Sequence, residues 1–246
     1  MSQTAHRPWP LPDGRWVMAQ TWHDLLFAHW PVPKASLEGL IPPPLTLDTF
    51  DGRAWVGVVP FHMTGVRLRG LPPLPGVSAF AEINVRTYVT MGGKPGVFFF
   101  SLDAANALAV AAARRWYRLP YFRARISAVT EHGRTRYRSL RTHRHAPPAA
   151  FIAEYAPIGD VVPAQRGTLE RWLTERYCLY ALDRRHRVYR GEIHHAPWPL
   201  QPAEAEIERN TMAGPHKIAL PGAAPLLHFS RRLDVRIWPL RRVEAP

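Results

Sequence analysis

At 246 residues, with 46% apolar and 21% charged positions, the chain has the composition of an ordinary folded protein, which excludes extended disorder. Its longest run of small apolar residues, Ala107 to Ala113, stops at Arg114 and is too short to cross a bilayer as a helix. The formal charge of +13 comes from arginine at 29 of 32 basic positions, a skew that a GC-rich coding bias produces by itself, so charge alone assigns no nucleic-acid partner. The opening residues carry no apolar core of a secretion signal, and the single Cys178 has no internal partner; a cytoplasmic protein is expected. The length fits one domain over 1–246, with residues 1–16, rich in proline and tryptophan, as a loosely packed arm.

The first ordered segment is Trp22 to Trp30, which Pro31 and Pro33 stop. A short helical turn is predicted between Ser36 and Leu40, capped by Ser36. Residues 45–50 and 54–61 read as a hairpin around Asp51-Gly52, with a second strand at 63–69. The proline-rich connection 71–76 is a stiff loop and a candidate pocket rim.

The hairpin from Phe80 to Asp103 organises the rest. Side chains alternate along a strand, so Glu82, Asn84, Arg86 and Tyr88 share one face while Ile83, Val85, Thr87 and Val89 share the other. A turn over 91–96 would pair Arg86 with Ser101 and Asn84 with Asp103, gathering Glu82, Asn84, Arg86, Ser101 and Asp103 into one polar patch. Patterning leaves open whether that patch faces water or lines a pocket. Asp103 is predicted to cap a helix over 104–117, ended by Leu119-Pro120.

Strands are predicted at 123–129 and 135–140, joined by His132-Gly133, and residues 145–166 read as loop. Thr168 opens a predicted helix whose Leu169, Trp172, Leu173, Tyr177 and Tyr180 recur at helical spacing and which contains Cys178. A strand near 187–193, a helix over 203–209 and a strand over 233–238 complete the chain.

Two histidine pairs have ligand-like spacing, His143 with His145 and Glu192 with His194, but neither has a third ligand nearby in sequence, so no metal is expected, and no cofactor fingerprint occurs. Arg134, Arg136, Arg138, Arg141 and Arg144 could track a phosphate backbone or simply charge a strand edge. The Glu82 face is the chief chemical candidate. A carboxyl in an apolar cavity titrates high, a neighbouring arginine lowers it, so Glu82 and Arg86 suit either a proton donor or a plain ion pair.

The chain resembles the domain of unknown function 2071 (YqjF-like) family, through AspLeuLeuPheAlaHisTrp at 24–30, AlaTrpValGlyValValProPhe at 54–61, GluIleAsnValArgThrTyrVal at 82–89, PhePheSerLeuAspAla at 99–104, ThrGluArgTyrCysLeuTyr at 174–180 and HisHisAlaProTrpProLeu at 194–200. A more distant likeness is to the acetoacetate decarboxylase-like superfamily, through LeuIleProProProLeu at 40–45, the glutamate strand and the ArgLeuProTyrPhe corner. It implies an α+β, mainly β fold: a cone-shaped β-barrel with flanking helices and a central pocket, which turns the Glu82 face inward. The decarboxylase carries its Schiff-base lysine and the neighbouring lysine where this chain has Tyr121 and Phe122, so the resemblance implies the pocket without the imine. Its pocket glutamate matches Glu82 and an arginine near the helix end matches Arg114; a second acidic pocket residue falls among apolar positions near Trp55. The reading is a pocket for a small organic acid or carbonyl compound, with Glu82 as acid or base, Arg86 or Arg114 as anion partner, and Tyr121 and Asn84 as further contacts. A binding or regulatory module without turnover is the alternative, a phosphate-backbone binder the weaker one; the oligomeric state stays open.

Overall fold

The computed structural model describes residues 4–106, 110 and 114–244. Among the described residues thirteen strands carry the fold: β1 (Met18–Val32), β2 (Thr46–Leu47), β3 (Ala54–Leu68), β4 (Phe80–Met91), β5 (Lys94–Ala104), β6 (Tyr121–Glu131), β7 (Arg134–Arg141), β8 (Ala150–Pro157), β9 (Cys178–Leu182), β10 (Val188–His194), β11 (Gln201–Asn210), β12 (Leu226–Ile237) and β13 (Arg241–Arg242). Strands β12, β1, β3, β4 and β5 form a shared wall. On one side β9 and β10 close it into a ring, through β5–β9 and β10–β12 pairing. On the other, β6, β7, β8 and β11 run from β5 back to β12 and close a second.

Alternation assigns each wall residue to one ring or the other. Ile83, Val85 and Val89 of β4 join Leu26, Ala28, Val56 and Val58 against Tyr137, Phe151 and Tyr155, the main apolar core. Burying each valine, leucine, isoleucine or phenylalanine among them stabilises the fold by about 1.5–3 kcal/mol before the entropy of ordering is counted. Glu82, Asn84 and Arg86 point the other way, toward Leu25, Val59 and Phe61.

The β4–β5 hairpin forms, but in a different register from the one expected. A two-residue turn at Gly92-Gly93, both with positive φ (57° and 72°), pairs Met91 with Lys94, a conformation glycine adopts without a Cβ penalty. A bulge then leaves Phe100 unpaired between Val85↔Ser101 and Arg86↔Phe99. The extra residue reverses the alternation, so Ser101 and Asp103 lie with Val85 and Ile83, away from Glu82. Asp103 is a strand residue gripped by Arg141 at 2.7 and 2.8 Å; it does not cap a helix. Of the predicted helix over 104–117, Ala104 is strand, Val110 and Arg114 to Trp116 are helical, and the remainder lies partly outside the described residues.

Other elements also differ. The strands expected at 54–61 and 63–69 are one strand, and Thr46–Leu47 pairs with β4, leaving only a Phe50–Arg53 bridge around Asp51-Gly52. The helix Ala35–Glu38 has Lys34 at its N-cap, with no side-chain cap from Ser36. Residues 150–157 are a strand where a loop was expected. Residues 203–209 belong to β11, a strand: Ala203, Ala205 and Ile207 pack inward while Glu204, Glu206 and Glu208 face out, a period of two that governs over helix propensity. The helix opened by Thr168, whose Oγ1 accepts from the Arg171 amide, stops at Thr174, and Cys178 starts a strand. The N-terminal arm is docked, not loose: Arg7 is buried, donates to the Ile193 carbonyl at 2.7 Å and sits 3.6 Å from Glu192, which also accepts from Trp9 Nε1.

Candidate functional site

The ring closed by β9 and β10 encloses a cavity of about 130 Å³. Its floor is the polar face of β4. Parallel pairing of β6 on β5 aligns Tyr121 with Leu102 and Phe122 with Asp103, so Tyr121 enters the cavity while Phe122 stacks on Arg141 on the far side. The Tyr121 hydroxyl donates to Glu82 Oε2 at 2.8 Å, and Asn84 adds a side-chain hydrogen bond. The Glu82 backbone is itself fixed, because the buried Tyr137 hydroxyl donates to its carbonyl at 2.8 Å. Burial removes the hydration that favours a carboxylate and outweighs both hydrogen bonds, so Glu82 is pushed up to about 7. Burial and the adjoining Glu82 hold the Tyr121 phenol well above its ordinary range, so it remains a neutral donor.

Arg86 occupies the other end. Its Nη2 donates to Tyr88 Oη (3.4 Å) and the Leu173 carbonyl (3.3 Å), and its guanidinium lies 5.1 Å from the centre of the Phe27 ring. Tyr88 Oη gives its proton to Leu173 O at 2.8 Å, so it accepts from His29 Nε2 at 2.6 Å; burial keeps His29 neutral, and its proton is on Nε2. Among the described residues no carboxylate pairs with Arg86, and its Nε is buried without a hydrogen-bond partner. Glu82 and Arg86 therefore do not form the ion pair that sequence left open.

Arg114 is placed elsewhere. It is exposed, donates to the Tyr121 carbonyl at 3.1 Å and lies 3.0 Å from His143 Nε2, behind the strand that presents Tyr121. The 71–76 loop does not rim the cavity either; Gly76 borders a separate surface hollow beside Asp24 and His62. Sequence reasoning missed Arg176, whose Nη1 bonds Asp48 at 2.6 Å and whose Nη2 is buried without a partner, and the indoles of Trp22 and Trp198, stacked at 5.7 Å. A signal was present: Arg176 and Trp198 lie inside two of the segments that carry the family resemblance. Cys178 also lines the cavity, its thiol pushed up to about 12 by burial.

None of the three lysines reaches this cavity. Lys34 pairs with Glu38 at the surface, Lys94 with Glu192, and Lys217 ends a short 3₁₀ turn in the left-handed region. No group of three or more metal-ligating side chains occurs among the described residues. On the outer sheet, Arg134 bonds Glu154 and Glu204, Arg136 bonds Glu131, and Arg141 is buried on Asp103, so carboxylates offset much of the arginine run.

Residues 19–234 match the model of the DUF2071 family, described as an uncharacterized conserved protein. The chain belongs to that family. It is 49% identical over 232 residues to the uncharacterized protein YqjF of Bacillus subtilis, covering 94% of this chain and 95% of that one. The fold is that of the acetoacetate decarboxylase-like proteins. Acetoacetate decarboxylase from Legionella pneumophila superposes with a TM-score of 0.62 at 12% identity, over 97% of this chain and 93% of the other. The enduracididine biosynthesis enzyme MppR, complexed with a condensation product of pyruvate and imidazole 4-carboxaldehyde, superposes with 0.63 at 11%, over 92% and 88%. An acetoacetate decarboxylase-like enzyme from Sphingomonas wittichii gives 0.62 at 14%, over 97% and 99%. Among the described residues no helix is long and apolar enough to cross a membrane.

Proposed function

We propose that this family member binds a small organic acid or carbonyl compound in the β4 cavity and moves a proton on it, with Glu82 as the acid or base. One observation carries the reading: a buried guanidinium without a carboxylate partner and a carboxyl poised near neutrality face the same apolar cavity. An unpaired buried cation is costly to the fold, and an anionic ligand group relieves that cost. Tyr121 stands where the resemblance puts an imine-forming lysine, and a phenol forms no Schiff base; its chemistry here is hydrogen-bond donation, to Glu82 or to a ligand oxygen. Glu82 in its carboxylate form takes a proton from a carbon beside a carbonyl, the C–H electron pair becomes a C=C bond, and the carbonyl oxygen takes the displaced pair against the Tyr121 hydroxyl. Returning the proton to a different atom completes an isomerisation without any covalent enzyme adduct.

The test is a thermal-shift screen of oxo acids, unsaturated acids and neutral carbonyl compounds on the natural protein and on Glu82→Gln, followed by proton NMR in D₂O of each compound that binds. Acids that raise the melting temperature and exchange C–H for C–D only when Glu82 is present support the reading. Binding without exchange makes the protein a ligand-binding module, and an Arg86→Met variant that binds acids as well as the natural protein refutes the anion site.

A further inference from the structure

The spacing of the two polar ends says more about the ligand, provided the acid-binding reading of this cavity is right. Glu82 and Arg86 sit four residues apart on an uninterrupted stretch of β4, the bulge being on β5, so their Cα atoms are about 13 Å apart at the usual strand rise. Arg86 leans further away, its Nη2 held by Tyr88 and Leu173. Arg176 joins it there: both guanidiniums lie against the Tyr88 ring, at 5.7 and 4.8 Å from its centre. Between the ends lie Asn84 of β4, Val59 opposite it on β3, and Trp198, which stacks on Trp22 toward the Glu82 end and meets Phe27 edge-on at 4.8 Å toward the Arg86 end. The whole cavity, at about 130 Å³, is no larger than the roughly 150 Å³ that accommodates a benzene ring, so the ligand that spans it is thin.

We infer that the ligand is an elongated, unbranched oxo acid, with its carboxylate on Arg86 and Arg176, a slender aliphatic body beside Val59 and Trp198, and its carbonyl at the Tyr121–Glu82 end. A short oxo acid such as pyruvate carries both groups on adjacent carbons and reaches only one end. The unpartnered buried donors agree, because Arg86 Nε, Arg176 Nη2 and the Trp22 and Trp198 indole N–H groups all sit on residues around the cavity and call for acceptors.

The experiment measures affinity by tryptophan fluorescence and calorimetry for 5-oxohexanoate, its methyl ester, 5-methylhexanoate and pyruvate. The natural protein is expected to bind 5-oxohexanoate about tenfold or more tighter than each of the others, since each lacks one of the three features. In Glu82→Leu/Tyr121→Phe, which removes both hydrogen-bonding groups of that end, the preference for 5-oxohexanoate over 5-methylhexanoate disappears while the preference over the ester remains. Trp198→Phe reduces the fluorescence change. Pyruvate binding as tightly as 5-oxohexanoate overturns the spanning ligand and leaves the acid-binding reading intact; equal affinity for acid and ester overturns both, as does no binding of any acid to the natural protein.

Discussion

Glu82 makes the stability of this protein depend on pH in a direction opposite to that of most carboxylates. Its folded-state value is raised from 4.5 to about 7, so between these limits the folded chain binds a proton that the unfolded chain has released. The stabilisation from the protonated form is complete below about pH 4.5 and is lost as pH rises through about 7. At about 1.4 kcal/mol per pH unit, the shift corresponds to roughly 3 kcal/mol as an upper figure. Glu82→Gln carries no charge and keeps an oxygen for the Tyr121 hydroxyl, so it should escape the loss. Urea denaturation of both proteins at a series of pH values is the assay. Near pH 4.5 the two stabilities should be similar, and by pH 8 the variant should gain on the natural protein by up to about 3 kcal/mol. Parallel stability curves for the two proteins across that range would show that Glu82 does not titrate high, and the proton-transfer role would fall with it.

Arg141→Ala leaves Asp103 buried and unpaired, and should cost about 3–5 kcal/mol by urea denaturation, with Arg141→Met/Asp103→Leu recovering most of the loss. Gly96→Ala places a Cβ 2.8 Å from both Cys178 Sγ and Tyr180 Cε2, so it should destabilise by about 1–3 kcal/mol, while Gly222→Ala, with nothing within 4 Å, should be nearly neutral. Cys178, buried with its thiol pushed up to about 12, should resist a thiol reagent at pH 8 in the folded protein and react stoichiometrically once urea unfolds it; fast labelling of the native chain would refute its placement in the cavity wall.

Much of the site was legible because strand alternation is a local property. Given that 82–89 is a strand, Glu82, Asn84 and Arg86 must share a face whatever surrounds them. The resemblance carried by the quoted segments then supplied the barrel, and with it the side that faces inward. Asp103 and Ser101 were misplaced because one bulged residue at Phe100 reverses the alternation of everything after it, and no local signal distinguishes Phe100 from its phenylalanine neighbours. The 203–209 segment was misread for a different reason: Ala and Glu favour helix, yet pairing with β8 and inward packing of Ala203, Ala205 and Ile207 are non-local and prevail.

From sequence alone follow the polar face of β4 and the turn and strand signals that build the hairpin. Tertiary structure decided which groups meet. Tyr121 reaches Glu82 across 39 positions of chain, Arg86 meets Leu173 across 87, and Arg141 leaves the arginine run to neutralise Asp103 inside the core. Those encounters depend on ring closure by strands distant in sequence, and the same closure takes the water from Glu82 and thereby converts an ordinary carboxylate into a group poised near neutral pH.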